Sequence, residues 1–192
     1  MDALQSMPLW DHSLAQVQWG AVIGASLAAA VCDVRTRRIP NVLTGAVLGL
    51  GLAWAFWVGG LSGMAESIGG CIAVGGPFVV LWIFGGGGAG DAKLMGALGA
   101  WLGLANGLVA LLAVLFWGAF LGVLLSLIRG RFLRLLGNLR DLAVFWVFEI
   151  WRGAVFSRQS RPPAIQGLPM PYGVSILCGV LTAAAGVTIW RT

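Results

Sequence analysis

Two aspartates occupy positions from which they could act on one substrate. Asp33 follows one long uncharged segment directly, and Asp91 follows another that ends in a glycine-rich run. Two neighbouring carboxyl groups cannot both ionise cheaply, so one of them keeps its proton. The ionised group can take a proton from water, while the protonated group can polarise a carbonyl and later protonate a leaving amine. The chemistry that this pair could perform is hydrolysis of a peptide bond.

Small residues and one lysine surround Asp91. Gly88 and Gly90 precede it, and Lys93 follows it. A run without bulky side chains could admit an extended substrate backbone, or could move Asp91 toward Asp33. Lys93 could hydrogen-bond to carbonyl groups of this run, tune the two carboxylates, or extend toward lipid headgroups. Gly88, Gly90 and Lys93 are therefore secondary candidates for the site.

The composition indicates which kind of protein must position these residues. Of 192 residues, 59% are hydrophobic and only 10% are charged, whereas soluble domains carry about 25% charged residues. We therefore expect an integral membrane protein. The net charge of +5 comes from basic residues between apolar segments, which favours contact with anionic lipids over nucleic acid. The three cysteines form no CxxC pair, so neither a disulfide, a metal site nor a cofactor is expected.

The apolar segments predict an all-α fold, a single membrane-embedded domain over 1–192 containing a six-helix transmembrane bundle. The uncharged segment 94–128 would be roughly 50 Å long as one helix, and a hydrocarbon core of about 30 Å is crossed by about 20 residues. We therefore divide it at Ala105-Asn106-Gly107, because Asn-Gly favours a turn. The predicted spans are 14–32, 42–60, 67–86, 92–104, 107–128 and 168–190.

The basic residues predict the orientation of these spans. With an outside N-terminus, the inner loops are 33–41, 87–93 and 129–167, and of the 12 Lys and Arg residues only Arg191 lies outside them. Basic residues accumulate on the cytoplasmic side, so both aspartates are expected at the cytoplasmic face. The segment 129–161 is predicted to be an interfacial amphipathic helix that ends at Arg161-Pro162-Pro163. Packing on the bundle and substrate handling are both open roles for it.

Three sequence blocks resemble those of the type IV prepilin peptidases. The block Gly88-Ala89-Gly90-Asp91 matches the family's GxGD motif, and the stretch from Asp33 to Ile39-Pro40-Asn41 is similar to its first aspartate motif. The block Leu168-Pro169-Met170-Pro171-Tyr172-Gly173 resembles the start of the last helix in the short members that serve Flp/Tad-type pili.

The resemblance implies an aspartic endopeptidase that removes the basic leader of prepilins at the cytoplasmic face of the bacterial inner membrane. It assigns the two catalytic aspartates to Asp33 and Asp91. The long members of the family add an N-terminal domain with a cysteine cluster, and they often methylate the new N-terminus. Only about 15 residues precede the first predicted span, so methyltransferase activity is not expected here.

Other uses of these residues remain open at the level of sequence. Asp33 could pair with Arg35 or Arg37, and Asp91 could cap a helix that begins at Ala92. The same aspartates could serve a non-catalytic scaffold or a proton- or cation-coupled transporter. A serine protease is disfavoured, because Ser62 and His12 lie in separate polar loops, although a Ser–His pair must be within hydrogen-bonding reach.

Overall fold

The computed structural model describes residues 12–85, 88–130, 132–152 and 172–189. Within these residues the chain forms five helices and no strand, which confirms the predicted all-α class. The helices are α1 (His12–Thr36), α2 (Asn41–Gly85), α3 (Ala89–Ile128), α4 (Phe132–Trp151) and α5 (Tyr172–Ile189). The six predicted spans do not correspond to six separate helices, because two pairs of them are joined.

One glycine interrupts each of the two longest helices. In α2, Gly60 has φ 59° and ψ −142°, and in α3, Gly103 has φ 69° and ψ −171°. Neither conformation is helical, and a positive φ is tolerated far better by glycine than by residues with a β-carbon. Helix α2 is thus composed of the segments 41–59 and 61–85, and helix α3 of the segments 89–102 and 104–128.

The positions of these breaks correct two sequence predictions. The turn predicted at Ala105-Asn106-Gly107 is wrong, because these residues are helical and the chain breaks at Gly103 instead. The loop predicted between residues 60 and 67 is also wrong, since only Gly60 leaves the helical conformation. For the last predicted span, α5 begins at Tyr172, and residues 168–171 and 190 lie outside the described residues.

The outer surface of the helices is apolar. Among the described residues, three stretches are long and apolar enough to cross a membrane, Leu14–Thr36, Asn41–Ile83 and Ala89–Ile128, and α5 adds the shorter apolar stretch Tyr172–Val187. Large side chains on these helices point outward; Trp57 is 77% exposed and Leu112 is 68% exposed. Such a continuous apolar exterior would be unfavourable in water, so the chain is a membrane protein.

Close contact between backbones holds α2 against α3, the most extensive pairing of helices among the described residues. A β-carbon added at Gly75 would lie 2.9 Å from the Cα of Gly96, and one added at Gly99 would lie 2.8 Å from the Cβ of Val74. Small residues permit this approach, which provides van der Waals contact where no hydrophobic effect acts between helices. The glycine-rich composition therefore serves the packing of α2 on α3.

Helix α5 packs against both α1 and α3 and completes the core. Ile176 and Val180 of α5 are fully buried, as are Val22 of α1 and Leu94 and Leu98 of α3. Since α1, α3 and α5 share this core, the end of α1 and the starts of α3 and α5 are held in a fixed relation.

Helix α4 is amphipathic, as predicted for the segment 129–161, and among the described helices it contacts only α3. Several of the apolar side chains described in α4 are exposed; Leu133 is 84% and Trp151 83% exposed. Residues 153–161 and the predicted end at Arg161-Pro162-Pro163 lie outside the described residues.

Candidate active site

Three helix ends meet at one end of the bundle and bring the two predicted aspartates together. Asp33 lies in the last turns of α1, Asp91 in the first turn of α3, and Tyr172 and Gly173 begin α5. The backbone N–H of Gly173 donates a hydrogen bond of 2.9 Å to Oδ2 of Asp33. Asp33 and Asp91 are near enough for their carboxyl groups to interact electrostatically, and the hydroxyl of Tyr172 is near enough to interact with Asp91. The two carboxylates thus share one electrostatic environment.

The end of α1 determines where the Asp33 backbone lies. Arg37 adopts a left-handed conformation with φ 53°, and its N–H donates to the Asp33 carbonyl at 2.8 Å. A left-handed residue is the usual way to end a helix, although glycine is the usual residue there. Pro40 then precedes α2, and its carbonyl accepts a hydrogen bond of 3.3 Å from the N–H of Thr44. The connection between α1 and α2 is therefore short and held at both ends.

The start of α5 binds the side chain of Asp33. The first N–H groups of a helix have no partner within it, and they carry partial positive charge. A carboxylate that accepts from Gly173 satisfies one of these groups. A β-carbon added at Gly173 would lie 3.0 Å from both the Cα of Ala30 and the Cβ of Asp33. Only a residue without a side chain allows α5 to begin this close to α1.

The start of α3 positions Asp91 differently from the sequence prediction. The helix begins at Ala89 with Gly88 as its N-cap, so Asp91 is inside the first turn and does not cap a helix that begins at Ala92. Its N–H donates to the Gly88 carbonyl at 3.1 Å. A β-carbon added at Gly88 would collide with Oδ2 of Asp91. The side chain of Asp91 therefore lies directly against Gly88.

Gly90 contacts the connection between α1 and α2. A β-carbon added there would lie 3.2 Å from the Cβ of Ile39, two residues before α2. The small residue at this position thus allows the segment that follows Asp33 to pack against the turn that carries Asp91. Gly90 contributes to the approach of the two aspartate-bearing segments.

Lys93 follows Asp91 by two residues, which places it on the opposite side of α3 from Asp91. Its Nζ donates a hydrogen bond of 2.9 Å to Oδ1 of Asn41, the first residue of α2. Of the roles considered from sequence, bonding to carbonyls of the glycine run is not observed within the described residues. Lys93 instead joins the start of α3 to the start of α2.

The basic residues after Asp33 do not neutralise it. Arg35, Arg37 and Arg38 are exposed, and in the part of the chain that the structure describes neither aspartate forms an ion pair with them. The structural alternative in which Asp33 pairs with Arg35 or Arg37 is therefore not what the fold shows. The described residues also contain no group of three or more His, Cys, Asp and Glu side chains arranged to hold a metal ion.

Sequence reasoning missed two residues of this site. Asn41 and Gly173 were not among the candidates, although the structure places them in hydrogen bonds with Lys93 and Asp33. Both stand in blocks that carry the resemblance, Ile39-Pro40-Asn41 and the block that ends in Tyr172-Gly173. Their positions in these two blocks could have identified them as candidates.

Comparison with known proteins bears on the part of the helical core that carries both aspartates. The model of the type IV leader peptidase family matches residues 20–127, more than half of the chain and a range that includes both aspartates. Neither the curated proteins nor the solved structures gave a match. The family match confirms the resemblance to prepilin peptidases. The chain therefore belongs to the type IV leader peptidase family, whose members are peptidases that act on prepilin-type proteins.

Proposed function

We propose that the chain is a prepilin leader peptidase of the aspartic type, with Asp33 and Asp91 as its catalytic residues. The observation that carries the proposal is the meeting of these two carboxylates at the junction of α1, α3 and α5. The hydrogen bond of 2.9 Å from Gly173 to Asp33 orients one of them, and the first turn of α3 positions the other. A family match that includes both residues supports the same assignment.

The mechanism follows from a pair of carboxyl groups that holds one proton. One member, ionised, removes a proton from a water molecule as that water attacks the scissile carbonyl. The other member, protonated, donates a hydrogen bond to the carbonyl oxygen as it gains negative charge. This member later gives its proton to the leaving amine, and the first member keeps the proton taken from water, so the pair again holds one proton. No metal or cofactor enters these steps, and the two carboxyl groups act as a unit.

We place the site at the cytoplasmic face of the bacterial inner membrane, in a bundle of six spans. In this arrangement α1 and α5 each cross once, and the segments 41–59, 61–85, 89–102 and 104–128 cross separately. The breaks at Gly60 and Gly103 support this count, because an unbroken α2 of 45 residues would be about 68 Å long and a core is about 30 Å thick. The distribution of basic residues supports the orientation.

The proposed substrate is a prepilin whose basic leader lies in the cytoplasm and whose apolar helix lies in the membrane. The likeness of the last block, Leu168 to Gly173, to the short members favours pilins of the Flp/Tad type. The whole chain, 1–192, would act as a single membrane-embedded peptidase domain, with α4 lying in the cytoplasmic interface. Its exposed apolar side chains suit that location.

Co-expression with candidate prepilins tests the proposal. The measurement is the mass of the pilin N-terminus, in cells with the wild-type chain and in cells with the Asp33→Asn, Asp91→Asn double variant. We expect cleavage of the leader only with the wild-type chain. Cleavage by the double variant at the same rate would reject the aspartic mechanism. Loss of pilus assembly with intact leader removal would instead favour a scaffold, and aspartate-dependent ion flux without cleavage would favour a transporter.

A further inference from the structure

A small polar cavity lies beside the break in α3, away from the aspartates. Its volume is about 30 Å³, and about 10 to 15 Å³ suffices to hold one water molecule. Gln18 lines it from α1, Glu66 from α2, and Gly103 and Asn106 from α3. Gln18 and Asp33 are separated by roughly 22 Å along α1. The cavity is thus distinct from the proposed peptidase site.

A carboxylate and the break in α3 meet at this cavity. Helix segment 89–102 ends there, which directs its last carbonyl oxygens toward the break, and segment 104–128 begins there. The partial negative charge of the first helix end and the partial positive charge of the second are each about half an elementary unit. The Glu66 carboxylate lies against this break, since a β-carbon added at Gly103 would be 3.1 Å from its Oε1. The Ser67 hydroxyl donates to the carbonyl of Ala100 at 2.6 Å, which satisfies one terminal carbonyl but supplies no positive charge. The two helix ends offset each other, so Glu66 supplies the full charge among the described residues that line the cavity.

The described part of the chain provides no basic side chain to pair with Glu66. Glu66 forms no hydrogen bond or ion pair with the residues described. The basic side chains of α1 and α3 lie at the other ends of these helices, as Arg35 and Lys93 show. What the cavity does offer is oxygen: a carboxylate from Glu66 and carboxamides from Gln18 and Asn106. Oxygen donors of this kind suit hard cations, whereas zinc prefers nitrogen and sulfur.

We propose that this cavity binds one hard cation, with Glu66 as the charged ligand and the carboxamide oxygens of Gln18 and Asn106 as neutral ligands. The cation neutralises the carboxylate. Because the ligands come from α1, α2 and α3, its binding stabilises the junction of these three helices. A single carboxylate makes this a weak site, comparable to calcium sites with dissociation constants of about 10⁻⁴ to 10⁻³ M.

Thermal unfolding of the full chain in detergent provides the first test. The ten tryptophans give a fluorescence signal, and the Tm is measured in CaCl₂, in NaCl and in N-methylglucamine chloride at equal ionic strength. We expect Ca²⁺ or Na⁺ to raise the Tm of the wild type by a few degrees, with saturation. Glu66→Gln should remove this rise, and Asp141→Asn on exposed α4 should retain it.

Terbium luminescence gives a second test that does not depend on unfolding. Trp101 lines the cavity, so Tb³⁺ bound there is excited through the indole. The measurement uses the Asp33→Asn, Asp91→Asn background, which removes the carboxylates of the proposed dyad. We expect luminescence that Ca²⁺ displaces and that Glu66→Gln reduces at least tenfold. The proposal is overturned if no cation raises the Tm, if the rise survives Glu66→Gln, or if that variant leaves the luminescence unchanged.

Discussion

At the scale of single residues, the two aspartates differ in what holds them. Asp33 is tied across the bundle by the N–H of Gly173, which is 140 positions away in sequence. Asp91 is positioned locally, by the turn that begins at Gly88. Both residues could be chosen as candidates from the sequence, because ionisable groups at the ends of apolar spans are costly. The bond to Gly173 could not, since it depends on how α5 packs.

Replacing either aspartate with asparagine should eliminate leader cleavage. Asn keeps the size and hydrogen-bonding reach of Asp but cannot exchange a proton, and general acid–base steps are worth about 10² to 10⁴-fold. The Asp33→Asn, Asp91→Asn double variant should be scarcely slower than either single variant, because the pair acts as a unit. The measurement is pilin processing in membranes at matched protein levels.

The matched control is Asp141→Asn, which removes a carboxylate from exposed α4 and should leave cleavage at the wild-type rate. A purely structural role for the dyad predicts a different pattern. Neutralising a half-buried charge would then change the Tm while cleavage continued. Near-normal cleavage by either single variant would contradict the proposed roles of Asp33 and Asp91.

Gly88→Ala should lower cleavage by displacing the carboxylate of Asp91. The backbone at Gly88 has φ −74° and ψ 124°, a conformation that alanine adopts without strain, so only the collision of the new methyl group with Asp91 is tested. We expect a loss of at least tenfold in rate with normal insertion. Gly69→Ala is the control, because a β-carbon there has no neighbour within 4 Å. Equal rates for the two variants would show that Asp91 need not lie against Gly88.

At the scale of elements, glycine positions explain both the successes and the errors of prediction. That the long uncharged segment must break was correctly predicted from its length, but the break lies at Gly103 and not at Asn106-Gly107. Gly99, Gly103 and Gly107 recur every four residues, so each is a possible break by sequence alone. The structure selects Gly103, which lies against α2 near Glu66 and Gly70. Tertiary packing decides which of these glycines breaks the helix, and the pattern of a single sequence carries no direct information about that packing.

Two adjacent glycines of α2 should respond oppositely to the same substitution. A β-carbon at Gly75 would lie 2.9 Å from the Cα of Gly96, whereas one at Gly76 meets nothing within 4 Å. Gly75→Ala should therefore separate α2 from α3 and lower the Tm by several degrees. Gly76→Ala should leave the Tm unchanged or raise it, since alanine favours a helix by about 1 kcal/mol over glycine. Thermal unfolding in one detergent measures both, and a Gly75→Ala variant as stable as Gly76→Ala would contradict the close packing.

At the scale of the whole molecule, composition was the most informative property of the sequence. The low charge content predicted a membrane protein, and three apolar helices in the described part of the chain, each long enough to span, confirm it. The amphipathic helix after residue 129 was also predicted, and α4 has that character. The joining of spans into two broken helices was not predicted, because a single glycine with positive φ can separate two spans without a loop. The rule of about 20 residues per span does not say whether two spans are joined by a loop or by a single residue.

The proposed topology makes opposite predictions for two ends of the molecule. Ser62 is exposed next to the break at Gly60, and it should lie on the periplasmic side of the membrane. Ser157 lies after α4 in the sequence, between Arg152 and Arg158, and should be cytoplasmic. In a chain without Cys32, Cys71 and Cys178, Ser62→Cys should react with a membrane-impermeant maleimide in intact spheroplasts. Ser157→Cys should react only after the membrane is permeabilised.

These two positions also test the link between topology and catalysis. If α2 crossed the membrane as one inclined helix, Ser62 would lie in the hydrocarbon core, and Ser62→Cys would react on neither side. If the orientation were reversed, Ser157→Cys would react from outside, and the aspartates at the same end of the bundle as Lys93 and Arg35 would be outside too. A peptidase that removes basic leaders before export needs its carboxylates where those leaders are. Labelling of Ser62→Cys but not Ser157→Cys in intact spheroplasts is therefore the result that the proposed function requires.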